Sequence, residues 1–435
     1  MSDRLSLLNQ WANSIFRAAG EGMLTGTRKP QPIKIYSIET VSGPRAGALE
    51  ILAGLDAGRL LKILSGDDYA IHRQFVPWDF IGQPSVFMSG RYVRLEAGWP
   101  DGMAEKDIPL SDVGQYPKHG GRWIAGRNEH GQTITLGLSD TIPHYLFGGW
   151  TGSGKTWALR SALVQLAQDP DNELVLIDAK WGDGLGVLSG LPHLAGPVAT
   201  DFETGRAALG WAVENMRHRY ETGNKTGRVI VGIDEVQEMT IDPGTTDLIR
   251  LLAEKGRGAN VHLLVGTQNP TAQAFSNSSI RRNLPGRVAL KTENYDASKV
   301  VVGSNLPRSD RLLGAGDAYA VVSGQAHRAQ LAYIPEHVLG QINGSQPEQD
   351  EWPRYEAEVG GTLGQESSNP QATSGKEFAV SLVQAHLGNG RPTLIRAFDN
   401  AGLGRPGSGR ADRLLALGRE AHGYLRENDW TLCEV

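Results

Sequence analysis

The spacing of apolar residues divides the chain into parts with different architectures. Between residues 33 and 113, short strand-like pieces mix with a helical piece, which indicates a small α+β domain. From residue 122 to residue 334, apolar strands alternate with amphipathic helices, a pattern typical of a mostly parallel sheet covered by helices. The sequence therefore predicts an α+β accessory domain over residues 1–121, followed by a larger α/β domain over residues 122–340.

The C-terminal part of the chain has a different composition. Residues 341–376 are rich in Gly, Ser, Gln, Glu and Pro with few apolar residues, which predicts a flexible linker. Residues 377–435 contain three short helical patterns separated by Gly and Pro, which predicts a small helical module. Because acidic residues nearly balance its arginines, this module is either a DNA-binding helix-turn-helix or winged-helix unit or a protein-contact module.

An amphipathic helix is predicted close to the N-terminus. Leu5, Leu8, Trp11 and Ile15 recur at helical spacing, and this face would pack on a domain, on a partner or on a membrane surface. The chain has no run of about 18 apolar residues and no signal-peptide pattern, so no integral membrane segment is predicted, and peripheral membrane contact is left to this helix. The one cysteine, Cys433, fits a reducing cytoplasm.

Charge limits how the chain could hold nucleic acid. The 435 residues carry a formal net charge of -5, so no global basic field is available to attract DNA. Any contact with DNA is therefore expected to come from a local basic patch.

A glycine-rich loop carries the clearest chemical signal. Residues 149–156 satisfy G-x-x-x-x-G-K-[ST], follow an apolar strand-like piece and precede a helical pattern. In this context backbone N–H groups surround the β-phosphate at a helix N-terminus, Lys155 reaches the β- and γ-phosphates, and the Thr156 hydroxyl binds Mg²⁺. The predicted ligands are ATP and Mg²⁺, and the predicted binding residues are Gly149, Trp150, Thr151, Gly152, Ser153, Gly154, Lys155 and Thr156.

Two further strands end in residues that suit ATP hydrolysis. Residues 228–235 form an apolar strand ending in two acids, as in a Walker B element. Asp234 is the predicted Mg²⁺ ligand, and Glu235 is the predicted base that orients and deprotonates the attacking water. The next apolar strand ends at Gln268, which is either a sensor of the γ-phosphate or an ordinary surface hydrogen-bonding residue.

These motifs resemble those of the FtsK/SpoIIIE family, and the resemblance covers roughly residues 122–334. It implies a RecA-like P-loop ATPase core that assembles into a homo-oligomer, a hexameric ring threaded by double-stranded DNA, with ATP bound between subunits. Besides the loop and strand ends, it rests on the segments Pro143-His144-Tyr145-Leu146, Ile177-Asp178-Ala179-Lys180, Leu191-Pro192-His193-Leu194, Lys255-Gly256-Arg257-Gly258, Gly266-Thr267-Gln268-Asn269-Pro270 and Leu313-Gly314-Ala315-Gly316-Asp317.

The resemblance also implies roles for several arginines. ATP bound between subunits requires an arginine finger that reaches the γ-phosphate of a neighbour, and Arg257 is the first choice, with Arg217 and Arg219 as alternatives. In this family the loop after the Gln-bearing strand faces the pore. Arg281 and Arg282 follow that loop here and are candidates for contacts with DNA phosphates, which carry no sequence information.

The sequence thus predicts an ATPase that translocates double-stranded DNA, in conjugation, chromosome segregation or the movement of a mobile element. The alternative is a related ATPase that powers protein export or acts as a coupling protein. Such ATPases usually carry several ATPase domains, whereas this sequence shows one P-loop. A third alternative, a scaffold that binds ATP without hydrolysing it, is disfavoured by the intact Lys155, Thr156, Asp234 and Glu235.

Overall fold

The structure is a computed structural model, and its chain divides into the units Met1–Tyr355 and Glu356–Val435. It describes residues 2–24, 32–65, 73–114, 117, 119–178, 180, 182–268, 278–339, 347 and 349–353. The predicted helical module, residues 377–435, lies outside the described residues, as does most of the predicted linker. The predicted domain boundaries stay predictions.

The N-terminal part is a small antiparallel sheet covered by helices. Its strands are β1 (Ser37–Ser42), β2 (Ala46–Leu52), β3 (Ile81–Ser89) and β4 (Tyr92–Gly98), in the order β1-β2-β4-β3. The helices are α1 (Ser2–Gly20) and α2 (Ala57–Leu64). Leu8, Trp11 and Ile15 of α1 are buried in the same apolar cluster as the sheet, whereas Leu5 is exposed. The amphipathic face of α1 therefore packs on its own domain.

A nine-stranded sheet forms the larger part of the unit, in the order β6-β5-β13-β12-β11-β7-β10-β9-β8. Its strands are β5 (Arg122–Asn128), β6 (Thr133–Gly137), β7 (Tyr145–Gly148), β8 (Asn172–Asp178), β9 (Arg228–Asp234), β10 (Val261–Thr267), β11 (Gly286–Leu290), β12 (Asp317–Val322) and β13 (Gln325–Leu331). The helices are α3 (Lys155–Leu166), α4 (Phe202–Thr222), α5 (Val236–Met239), α6 (Pro243–Lys255), α7 (Ser278–Arg282), α8 (Tyr295–Val302) and α9 (Glu336–Leu339).

The mixed α/β class is confirmed, but the expectation of a mostly parallel sheet is wrong for half of the strand pairings. The strands β11, β7, β10, β9 and β8 run parallel. In contrast β12, β13, β5 and β6 extend the sheet in antiparallel pairs. Only Ser323 and Gly324, both with positive φ, separate β12 from β13. Such a two-residue turn can join only antiparallel strands.

Local sequence signals set the ends of the helices that cover the sheet. Helix α4 begins after Asp201, whose carboxylate accepts the Thr204 N–H in a capping box, and it ends at Gly223 in the left-handed region. Helix α6 begins with Pro243 directly after Asp242, which caps its first turn. These ends fix where the chain enters and leaves the parallel strands.

The parallel strands have an apolar core on each face. Val229, Val231 and Ile233 of β9 pack with α4 and α6, whereas Ile230 packs on the opposite face with α3. This alternation follows from the two-residue period of side chains along a strand. Helix α3, which begins at the glycine-rich loop, therefore lies on a sheet that is buried on both faces.

A buried network of charged groups joins the small sheet to the large one. Arg328 of β13 makes a bidentate pair with Asp317 of β12, at 2.9 and 2.7 Å, and its third nitrogen lies 3.0 Å from Glu96 of β4. The Tyr319 hydroxyl donates to the same Glu96 oxygen at 2.9 Å, and Arg94 donates to the other at 2.8 Å. Because these charges are buried away from water, each is stabilised mainly by its partners of opposite charge.

Replacing Arg328 with alanine is expected to cost about 3–5 kcal/mol of folding free energy, because Asp317 and Glu96 would lose their buried counter-charge. Urea unfolding followed by tryptophan fluorescence measures the change. Arg250→Ala is the control, since Arg250 forms partly exposed ion pairs with Asp247 and Glu254 and should cost about 1 kcal/mol or less. Equal losses in the two variants would show that the network contributes nothing special.

Among the helices in the described ranges, none combines the length and the apolar character that a transmembrane span needs.

Candidate nucleotide-binding site

The glycine-rich loop connects the end of β7 to the start of α3. Gly154 takes the position before the helix with a φ of 102°, a conformation that residues with a Cβ atom rarely adopt. At the other end of the loop, a Cβ atom on Gly149 would lie 2.5 Å from the Ser153 Oγ and 2.7 Å from the Leu290 Cβ. The loop therefore requires glycine at both positions, and it directs the first N–H groups of α3 towards the space that it encloses.

Lys155, Thr156 and Asp234 lie in direct contact at the carboxyl edge of the parallel strands. The Thr156 hydroxyl donates to Asp234 Oδ2 at 3.0 Å, and Lys155 Nζ contacts Asp234 Oδ1. Lys155 and Asp234 are both buried. Strand β10 lies between β7 and β9 and has Gly266 here, where a Cβ atom would come within 2.7 Å of Asp234 Oδ1. The small residue leaves room for the lysine and the aspartate to meet.

Glu235 follows β9 with a φ of 60°, which is unusual for a residue other than glycine. Its side chain is fully buried, and Lys155 Nζ lies 2.9 Å from its Oε1. Burial alone would raise the pKa of Glu235, but Lys155 and the hydrogen bonds from Gln237 and the Gln268 N–H hold that pKa below its ordinary value. The carboxylate is therefore ionised at neutral pH.

Gln268 lies between the glycine-rich loop and Glu235. Its backbone N–H donates to Glu235 Oε2 at 2.9 Å, and its side-chain oxygen accepts the Thr151 hydroxyl at 3.0 Å. The side chain is partly exposed. The structure thus brings the loop residues, Asp234, Glu235 and Gln268 into one site.

Two further residues belong to this site and were not among the predicted site residues. Lys180 Nζ lies 3.1 Å from Glu235 Oε1, and Gln237 donates to Glu235 Oε2 while accepting the Thr267 hydroxyl at 2.9 Å. Lys180 follows β8, so its position at the carboxyl end of a parallel strand was a usable signal. Gln237 lies in α5, and its contact depends on the backbone turn at Glu235, which the sequence does not reveal.

The contacts described for the three candidate finger arginines are all with residues outside the glycine-rich loop. Arg257 is exposed, donates to the Asp140 carbonyl at 3.3 Å and precedes β10, whereas the loop lies at the other end of the strands. Arg217 is exposed and pairs with Glu214. Arg219 is half-buried and donates to the carbonyls of Gly227 and Ala259, which commits its guanidinium to packing within the chain.

Arg281 and Arg282 lie in α7, and Arg282 is exposed. The segment expected to face a pore, residues 271–279, falls almost wholly outside the described residues. The proposed contacts of both arginines with DNA phosphates stay predictions.

The site contains side-chain oxygen atoms of the kind that bind metal ions. Within the part of the chain that the structure describes, no group of three or more His, Cys, Asp or Glu side chains could hold one. Thr156 Oγ1 and Asp234 Oδ2 are adjacent oxygens at the carboxyl edge. Such a pair suits Mg²⁺, which commonly binds one or two protein oxygens and completes its shell with substrate phosphates and water.

A glycine-rich loop between a parallel strand and a helix, facing an acidic pair at the end of another parallel strand of the same sheet, defines a P-loop ATPase domain. Residues 122–228 of this domain match the model of the FtsK/SpoIIIE family. The resemblance inferred from the sequence is therefore confirmed.

Comparison with known proteins gives relatives of the same kind. The chain is 30% identical to the DNA translocase SftA of Bacillus subtilis (strain 168), over 47% of this chain and 24% of that protein. It is 28% identical to a DNA translocase FtsK of Clostridium acetobutylicum, over 86% of this chain and 54% of that protein. The chain thus spans between about a quarter and about half the length of these curated relatives.

One solved structure is also similar, the pCW3 conjugation coupling protein TcpA in its monomer form with ATPgS. It shares 18% identity and a TM-score of 0.49 over 75% of this chain and 96% of that chain.

Proposed function

We propose that this protein is an ATP-driven motor that translocates double-stranded DNA. The observation that carries the proposal is the convergence of Lys155, Thr156, Asp234, Glu235 and Gln268 at one edge of a parallel sheet. The names of the curated relatives, which are DNA translocases, support DNA as the substrate. Transfer or segregation of DNA is the process that such a motor would serve.

In this proposal each residue at the edge has one task in hydrolysis. The N–H groups at the start of α3 and Lys155 hold the phosphates, and Thr156 with Asp234 would hold Mg²⁺. When bound, Mg²⁺ neutralises charge on the β- and γ-phosphates. Glu235 orients a water and takes its proton. The water oxygen bonds to the γ-phosphorus, the bond to the bridging oxygen breaks, and ADP leaves with that electron pair.

Gln268 is the proposed sensor of the γ-phosphate. It contacts Thr151 of the loop on one side and Glu235 on the other, and the next residues are those expected to face a DNA-bearing pore. A change at the phosphate would therefore reach both the base and that segment through one residue.

The proposed assembly is a RecA-like hexameric ring with the nucleotide between subunits. Arg257 supports this arrangement, because β10 is seven residues long and separates it from the carboxyl edge by about 23 Å. An arginine at that distance can complete a nucleotide site only in another copy of the chain. Its exposure leaves it available to do so.

Steady-state ATP hydrolysis by the purified protein tests the proposal. Linear duplex DNA should increase turnover strongly, single strands should increase it less, and added salt should weaken both effects because phosphate contacts release counterions. Lys155→Ala serves as the blank. Hydrolysis that ignores every nucleic acid would reject DNA as the substrate and favour a motor for polypeptide export.

A further inference from the structure

Lys180 and Lys155 both contact one oxygen of Glu235. Lys155 Nζ lies 2.9 Å and Lys180 Nζ lies 3.1 Å from Oε1. The two lysines differ in their access to solvent, because 2% of the Lys155 side chain is exposed and 43% of the Lys180 side chain is exposed. The proposed phosphate-binding role assigns a task to Lys155 and none to Lys180.

The Glu235 carboxylate has donors on both of its oxygens. Oε1 faces the two lysines, while Oε2 accepts from Gln237 and from the Gln268 N–H. A carboxylate offers about four lone-pair directions, so four donors leave none for a water molecule. With all four donors in place, Glu235 has no free direction in which to accept a hydrogen bond from the attacking water.

Binding of a nucleotide would remove only one of these donors. Lys155 begins the helix at the loop, and the phosphates would draw its ammonium group away from Glu235. Lys180 follows β8, which is separated from β7 by β10 and β9, so the loop does not compete for it. The contact between Lys180 and Oε1 would therefore persist in the nucleotide-bound protein, where it restrains the direction in which the Glu235 carboxylate faces.

From this geometry we infer that Lys180 is a positioning residue that restrains Glu235 and keeps ATP turnover low until its ammonium group is displaced. The inference rests on the proposed function, in which Glu235 is the base. Because Lys180 is partly exposed, an anionic partner can draw its ammonium group away while the buried site stays closed. Under the proposed function that partner is the phosphate backbone of duplex DNA, which attracts lysine ammonium groups.

Lys180→Met tests the inference, since it removes the charge and keeps most of the length. Turnover without DNA should rise about tenfold, which corresponds to roughly 1.4 kcal/mol in the activation free energy. Turnover with saturating duplex should stay near the wild-type value, so the ratio of the two rates should fall. Lys180→Arg should keep the restraint and behave as wild type. Lys225→Met, an exposed lysine over the Tyr220 ring, is the matched control.

The same measurements contain the results that would overturn the inference. If Lys180→Met lowers turnover both without and with duplex DNA, Lys180 assists hydrolysis. If neither rate changes, the contact between Lys180 and Glu235 has no effect on turnover. In a Glu235→Gln background, a further effect of Lys180→Met would show that Lys180 acts elsewhere. The DNA-free rates decide the restraint alone, so it can hold even where duplex leaves turnover unchanged and the DNA function fails.

Discussion

Glu235→Gln is expected to lower the rate of ATP hydrolysis by about two to four orders of magnitude, the usual contribution of a positioned base, and to leave ATP binding intact. An amide of the same shape keeps the buried volume but cannot take a proton from water. The hydrogen bonds from the Gln268 N–H and from Lys180 also make the position sensitive to the loss of charge. Binding of a fluorescent ATP analogue and steady-state turnover measure the two properties separately.

The control for this variant is Glu238→Gln, the same change at a partly exposed position three residues further on. It should leave both binding and turnover unchanged. Normal turnover by Glu235→Gln would show that Glu235 is not the base. The inference that Lys180 restrains the base would then fail as well.

Lys155→Ala is expected to weaken ATP binding by about a hundredfold or more, because a charge-assisted contact with the phosphates is worth about 1.5–3 kcal/mol and Lys155 is placed to make several. The substitution also removes a buried cation between Asp234 and Glu235. Their mutual repulsion should lower the thermal midpoint of the nucleotide-free protein. Isothermal titration with ATP and a thermal scan measure the two effects.

A surface lysine gives the comparison for Lys155→Ala. Lys299 pairs with Asp296 one turn away in α8 and is partly exposed, so Lys299→Ala should change neither ATP affinity nor the thermal midpoint appreciably. ATP affinity that survives the loss of Lys155 would place the nucleotide away from the glycine-rich loop.

Much of the site could be predicted because parallel strands align their carboxyl ends. The loop after β7, the acids after β9 and Gln268 after β10 each follow a recognisable apolar strand, so their proximity follows from the sheet. Their assigned roles stay predictions. The contacts of Lys180 and Gln237 could not be predicted, since they depend on the turn after β8 and on the φ of Glu235.

The buried ionic connection between the N-terminal sheet and the large sheet could not be predicted from the sequence, for a different reason. Pairing of Glu96 with Arg328 joins residues that are 232 positions apart, and neither residue stands in a local pattern that marks it as buried. Arg219 shows the same limit, because its sequence position suited an interface while its guanidinium caps backbone carbonyls within the chain. Burial of a charge is decided by tertiary partners.

The ion network between the two sheets bears on how such proteins diversify. An ATPase domain separated from β4 would lose the contacts of Arg328 and Tyr319 with Glu96. An unrelated domain joined at the same place would have to supply a carboxylate at the position of Glu96. Recombination at residue 122 therefore requires matched changes on both sides of the junction.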